Sequence, residues 1–194
     1  IEQVNDMSKR VLIPIADGSE DLEAVTLIDV LRRAEFEVLV ASAEERRMLT
    51  CARGTRITAD AMLLDVLAQD FDLIVLPGGM PGAKTLGELE PLGERVRQQA
   101  AAGLDYAAIC AAPAVALHPY GVLKGRQVTC YPGMSDNLTG THFLDQPVVV
   151  DGNCITSQGP ATALEFALTL VERLAGRGKR REVADAMLVP ATTN

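Results

Sequence analysis

The feature that most constrains this chain is an alternation. Short runs of Val, Leu and Ile give way, through turn residues, to longer stretches with helical periodicity. Val11-Leu-Ile-Pro-Ile-Ala16 leads through Asp17-Gly18-Ser19 into a helical pattern from Glu20 to about Ala34, and Glu37-Val-Leu-Val-Ala-Ser42 comes after it. Leu73-Ile-Val-Leu76 runs into Pro77-Gly78-Gly79-Met80-Pro81-Gly82, a loop forced by its glycines and prolines, and a helix from roughly Leu92 to Ala102 comes next. Tyr106-Ala-Ala-Ile109 precedes a helical stretch from Pro113 to Leu117, where Pro113 suits the first turn because its missing amide proton costs nothing there. Strands separated by helices imply right-handed crossovers and a mainly parallel sheet covered on both faces. The expected class is α/β, a three-layer sandwich.

The remaining segments fit around that frame. Arg56 to Ala59 reads as a peripheral strand or hairpin, and Asp65 to Gln69 as a short helix. Gln127 to Tyr131, Pro147 to Val150 and Cys154 to Ser157 read as strands. The last helix runs from about Ala161 to Leu174, with Leu164, Ala167, Leu168 and Val171 at helical spacing. At 194 residues, without repeat or linker, one domain over residues 7–194 is expected. Residues 1–6 are set apart as a cloning remnant or alternative start before Met7.

Composition narrows the function classes. Nearly half the residues are apolar, Trp is absent and only 4% are aromatic, so the core is expected to be aliphatic. A net charge of −8 argues against nucleic acid as a partner, and the one basic run, Arg177-Gly178-Lys179-Arg180-Arg181, reads as a helix-end or loop feature. No stretch approaches the ~18 to 20 apolar residues needed to span a bilayer, and no secretion signal is recognisable, so no membrane association and a cytoplasmic location are expected. Cys51, Cys110, Cys130 and Cys154 are widely spaced without any CxxC, which favours free thiols. His118 and His142 add no ligand cluster, so no metal is expected.

In such sheets ligands collect beyond the carboxyl ends of the strands. Three features fall there: the segment Asp17 to Glu23, the Gly78-Gly79 loop and Cys110. A cysteine between a strand and a helix meets unpaired amides and a positive dipole end, both favouring thiolate; equally, a free cysteine is often a small buried hydrophobe. Glu23 lies nearly one turn after Ser19 and is able to aim back at the strand ends, but three acids within four residues also simply suit a helix start. Gly78-Gly79 is either a sharp loop or a place where backbone amides approach an anionic group, as in an oxyanion hole.

The segments ADGSEDLEAVTLIDVLRRA, FDLIVLPGGMPGA, AAICAAPAVAL and ITSQGPATALEFAL, in that order, resemble the DJ-one/ThiJ/PfpI superfamily, specifically the DJ-one branch with its bacterial YajL-type relatives. The resemblance covers nearly all of Met7 to Val189. It implies a flavodoxin-like α/β sandwich, a homodimer, an oxidisable nucleophile at Cys110, and a carboxylic acid at Glu23 that hydrogen-bonds the sulfur. It carries the amide donors over to Gly79 and Ala111, with Gly78, Gly159 and Pro160 around the pocket. It also makes Arg33 and Arg53 candidates for anion binding near the dimer interface. Some relatives carry a second thiol at or near the position of Thr58, and Cys51 is the nearer match to a dimer-interface cysteine and a candidate for oxidation. Glu23 beside a thiolate is then expected to stay protonated and donate a hydrogen bond.

One departure matters. Where several relatives carry a histidine near the cysteine, in a segment like VTCYPGMSDN, this chain has Tyr131. His118 lies eight residues beyond Cys110, roughly 12 Å along a helix, so neither offers a Cys-His dyad and peptide or amide hydrolysis is disfavoured. The leading expectation is cofactor-independent detoxification of glyoxal or methylglyoxal, or of their early adducts with protein or nucleotide groups. Cys110 attacks through a hemithioacetal, Glu23 shuttles the proton, and water releases a hydroxy acid such as lactate. The alternative is a redox sensor or oxidation-dependent chaperone in which Cys110 becomes a sulfinate.

Overall fold

The computed structural model describes residues 8–191, so the separation of residues 1–6 falls outside the described residues, as does the end of the expected domain. Seven strands form the central sheet: β1 (Arg10–Ile15), β2 (Glu37–Ser42), β5 (Ala61–Met62), β6 (Leu73–Leu76), β7 (Asp105–Ile109), β10 (Val148–Asp151) and β11 (Cys154–Ser157). Their order is β10-β11-β7-β6-β1-β2-β5. Every neighbouring pair is parallel except β10 with β11. Two small sheets flank it: the hairpin β3 (Met48–Thr50) with β4 (Arg56–Thr58), and the parallel pair β8 (Gln127–Val128) with β9 (His142–Phe143). The helices are α1 (Asp21–Arg33), α2 (Leu63–Val66), α3 (Gly82–Glu88), α4 (Glu90–Ala101), α5 (His118–Tyr120) and α6 (Ala163–Ala186).

Because strand side chains alternate between faces, β1 feeds two cores. Val11, Ile13 and Ile15 join Leu27 and Leu31 of α1 and Phe166 and Leu170 of α6 on one side. Leu12 joins Ile74, Leu76, Leu86, Leu92, Val96 and Leu117 on the other. All of these are fully buried. The result is the expected three-layer α/β sandwich, with aliphatic side chains filling both interfaces. Among the described residues no helix is long and apolar enough to cross a membrane, and no group of His, Cys, Asp and Glu side chains is arranged to hold a metal ion.

Several boundaries differ from the sequence expectation for local reasons. The short helix after β5 begins two residues early, at Leu63, and α3 occupies a stretch directly after the Gly-Pro loop that the sequence reading leaves unassigned. β8 ends at Val128 because Tyr131 precedes Pro132 and turns its N–H to the carbonyl of Cys110 at 2.8 Å. The expected helix after Cys110 is a five-residue π-turn, Pro113–Leu117, continued by α5. α6 extends to Ala186 across a kink at Gly176, whose φ of 87° a glycine adopts freely. The basic run starts directly after this kink, at the end of a helical stretch as expected, and its side chains are paired: Arg177 with Glu172, Lys179 with Glu35 and Glu182, Arg180 with Glu165 and Glu172.

Candidate active site

β1, β6 and β7 are adjacent in the sheet centre, so the segments leaving their carboxyl ends meet. Cys110 succeeds β7 with φ of 64°, a left-handed conformation that costs a non-glycine residue energy. Its own backbone holds it there: the N–H donates to the Ser157 carbonyl at 3.0 Å, and its carbonyl accepts from Tyr131. The bend lifts the side chain out of the strand register and leaves it half-buried, while Cys51, Cys130 and Cys154 are buried. All four are free thiols.

Glu23 arrives from the first turn of α1. Glu20 caps that helix by accepting the N–H groups of Leu22 and Glu23, which places Glu23 on the inward face beside Ala24 and Leu27. Its carboxyl is fully buried. Oε1 accepts the Gly78 N–H at 2.9 Å, while Oε2 has no geometrically satisfied partner, and the neighbouring polar side chain is that of Cys110. Glycine at position 78 makes the meeting possible. A Cβ there would lie 2.6 Å from the Cys110 Cβ and 2.7 Å from Glu23 Oε1. Gly79, at φ of 86°, sits equally tightly, a Cβ there falling 2.3 Å from the Glu20 nitrogen. The two glycines thus bring the β6 loop against both the acid and the thiol.

Burial pushes the Glu23 carboxyl up to about 7, opposed by the hydrogen bonds from Gly78 and Cys110 and aided by the nearby Glu20 charge. Burial also pushes the Cys110 thiol up to about 12, and the Glu23 charge adds to this; the amides of Ala111 and Gly79 pull the other way. The expectation of a standing thiolate tuned by a helix dipole is therefore corrected. A continuous helical run from Ala112 to Tyr120 does begin just after Cys110, but burial of the thiol and the neighbouring carboxylate outweigh the pull of its amides. Near neutrality the thiol keeps its proton while Glu23 is partly ionised, so the ionised carboxylate is poised to accept the thiol proton at the moment of attack.

A cleft of about 440 Å³ opens over the sulfur, lined in part by Glu20, Arg53, Met80, Tyr131, Met134 and Pro160, with Gly79, Cys110 and Ala111 at its base. Cys110, Glu23, Gly78, Gly79, Ala111, Tyr131, Pro160 and Arg53 are thus brought to one place. Gly159 is not among the lining residues; it precedes the turn Pro160–Thr162. Arg33 also lies elsewhere, paired with Asp29 beside a second groove that Thr58 lines. Neither histidine lines the cleft: His118 bonds the Thr139 carbonyl, and His142 is in β9. Cys51 is buried outside it. Sequence reasoning misses Glu20, Met80 and Met134 as cleft residues, although all three stand inside segments whose turns and motifs are recognisable. It also misses Asp21, which accepts the N–H groups of Arg53 and Thr55 and so ties the Arg53 loop to α1.

A family model for the DJ-1/PfpI family matches residues 9–173. The chain belongs to the DJ-1/PfpI family. It is 44% identical over 180 residues to Protein DJ-1 homolog B of Arabidopsis thaliana, covering 93% of this chain but only 41% of that protein, so it spans less than half of that relative. It is 41% identical over 174 residues to the Caenorhabditis elegans protein named glutathione-independent glyoxalase DJR-1.2, covering 89% of this chain and 91% of the relative. The structure of oxidized Toxoplasma gondii DJ-1 superposes with a TM-score of 0.92 at 38% identity, covering 95% of this chain and all of that one. The family thus includes a protein named as a glyoxalase.

Proposed function

We propose that this DJ-1/PfpI protein converts reactive dicarbonyls to hydroxy acids, with Cys110 as nucleophile, Glu23 as proton shuttle and no cofactor. The observation that carries the reading is the meeting of a strained, half-buried thiol with a fully buried, half-satisfied carboxyl beneath an open cleft. Cys110 Sγ bonds to the aldehyde carbon of methylglyoxal while its proton passes to Glu23, and the amides of Gly79 and Ala111 meet the developing oxyanion. Protonation of that oxygen yields the hemithioacetal. Glu23 then removes the proton from the former aldehyde carbon and delivers one to the adjacent carbon. The first carbon is oxidised to a thioester and the second reduced to an alcohol, so no external oxidant is needed. Water cleaves the carbon-sulfur bond, releasing lactate and restoring the thiol. The same attack reaches early adducts of dicarbonyls on protein or nucleotide groups, the deglycase form of the activity. Lactate formation by wild type, Cys110→Ala and Glu23→Gln tests the scheme, and activity that survives loss of Cys110 overturns it.

Exposure favours a second reading beside the first. Cys110 alone among the four thiols reaches the cleft, so a peroxide meets it first. Sulfinate at Cys110 would accept a hydrogen bond from protonated Glu23 and the amides of Gly79 and Ala111, serving an oxidation sensor or redox-regulated chaperone. Mass spectrometry after graded peroxide is expected to find two added oxygens on Cys110 before any on Cys51, Cys130 or Cys154. Earlier oxidation of another cysteine counts against this role.

The homodimer is assigned to α1 and the β3–β4 hairpin. Leu22, Val25 and Met48 are exposed there, and Val25, Ile28, Arg33 and Ile57 help line a groove of about 630 Å³. A second copy would cover this apolar face. Sedimentation is expected to show a dimer for wild type and a monomer for Val25→Asp; a monomeric wild type at micromolar concentration defeats the assignment. Four free thiols among the described residues support a reducing, cytoplasmic setting.

A further inference from the structure

The cleft over Cys110 is larger than methylglyoxal requires. Five heavy atoms, at about 30 Å³ of liquid volume for each water-sized group, occupy on the order of 150 Å³. The cleft measures about 440 Å³, within the roughly 300 to 1,000 Å³ range of sites that enclose drug-sized ligands. Much of its wall is apolar. Met80, Tyr131, Met134 and Pro160 present carbon and sulfur, with Arg53 and Glu20 as the charged side chains among the lining residues.

Tyr131 is the central feature of this wall. It is 52% exposed, in a chain whose other two tyrosines are buried. Tyr106 and Tyr120 donate their hydroxyls to the carbonyls of Val122 and Leu86, whereas the Tyr131 hydroxyl makes no bond to a described residue. Tyr131 is tied to the nucleophile through its backbone, by the 2.8 Å hydrogen bond from its N–H to the Cys110 carbonyl. Its ring lies over Gly133, where an added Cβ would come within 3.3 Å of the ring edge. The absence of a side chain at 133 leaves room for the ring to sit there. The backbone bond to Cys110 thus anchors the segment that brings an exposed aromatic ring to the cleft over the sulfur, and two methionines at the same cleft supply polarizable, adaptable surface.

We infer that this cleft selects α-oxoaldehydes whose ketone carries a flat apolar group, an aryl group above all, and that Tyr131 is the specificity-determining residue. This rests on the dicarbonyl reading and names its substrate class. With phenylglyoxal the bond changes are those given for methylglyoxal. Sγ bonds to the aldehyde carbon, that carbon is oxidised as the neighbouring carbon is reduced by internal proton transfer, and water releases mandelate. The aryl ring lies against Tyr131 in the cleft that Met80 and Met134 also line, while the reacting carbonyl keeps its place at the Gly79 and Ala111 amides. Burying such a ring is expected to give roughly a 10- to 100-fold preference.

Two measurements separate this inference from the reading beneath it. Calorimetric titration of the whole chain with mandelate and with lactate requires no turnover. Mandelate is expected to bind at least about 10-fold more tightly, with a negative heat-capacity change from apolar burial. Initial rates of mandelate and lactate formation then give the ratio of kcat/KM for phenylglyoxal over methylglyoxal. This ratio is expected to exceed about 10 in wild type, fall at least about 10-fold in Tyr131→Ala, and persist in Tyr131→Phe, which keeps the ring and removes only the unbonded hydroxyl. Equal binding of the two acids, or a preference for methylglyoxal while it is being consumed, overturns the inference while leaving the dicarbonyl reading intact. So does a ratio that Tyr131→Ala leaves unmoved. Mandelate selectivity without turnover of either aldehyde supports the aryl subsite and defeats the dicarbonyl reading alone.

Discussion

Replacing Cys110 by alanine is expected to lower lactate formation from methylglyoxal by at least about 1,000-fold, to the level that bound amides and an unassisted water can sustain. No other group replaces the sulfur. The other cysteines are buried, neither histidine lines the cleft, and Glu23 is a buried carboxyl that serves as base rather than nucleophile. The fold is expected to survive. Alanine meets the same left-handed backbone penalty at φ of 64° that cysteine already bears, and the hydrogen bonds to Ser157 and Tyr131 are made by the backbone. Equal denaturation midpoints for the two proteins would show that the lost rate belongs to the thiol.

Glu23→Gln is expected to lose activity and gain stability at the same time. Loss of the base lowers the rate by about 100- to 10,000-fold. It also removes the acid limb of the kcat/KM profile, which in wild type rises with pH as Glu23 gives up its proton near 7. The stability effect has the opposite sign. Burial raises this carboxyl from an ordinary 4.5 to about 7, so its contribution to wild-type stability is fully present below 4.5 and is lost as pH rises through 7. A shift of this size corresponds to about 3 kcal/mol. Glutamine keeps an oxygen for the Gly78 N–H and carries no charge into the interior. In urea titrations at about pH 8, above the raised value, the variant is expected to exceed wild type by up to that amount, with the difference vanishing at about pH 4, below the ordinary one. A variant less stable than wild type on the alkaline side would show that the buried charge is better compensated than the geometry of Oε2 indicates.

This pairing of lost function with gained stability arises from the way the site is built. The buried carboxyl is held against the carboxyl ends of the central strands, and a strained cysteine stands beside it. Gly78 and Gly79 accept the contacts that any larger residue would prevent. Each of these is a local cost to folding that the two aliphatic cores offset.

Much of the frame was legible in the chain. β2 and β6 appear where their apolar runs stand, and α1 begins and ends within a residue of its expected limits, because period, capping and chain-reversing residues are local properties. The convergence of Glu23, Gly78-Gly79 and Cys110 was legible too, since a parallel sheet carries its loops to one edge. The misses have equally definite causes. β8 stopped early because the carbonyl of Cys110, remote in sequence, takes the Tyr131 N–H. A second helical stretch follows the non-helical Gly176, tied to the first by Arg180, which pairs with Glu165 and Glu172. Arg33 turned to Asp29, and Gly159 stood outside the cleft that Pro160 enters.

The sequence by itself determined the α/β class, the edge where chemistry gathers, and the family to which the chain belongs, since each is written in residue order and spacing. Only the tertiary structure decided how the proton is held between Glu23 and Cys110, which residues wall the cleft, and how much room stands above the sulfur. Those properties depend on burial and on distances between segments far apart in the chain, and neither quantity exists until the sheet and its two helical layers have closed around them.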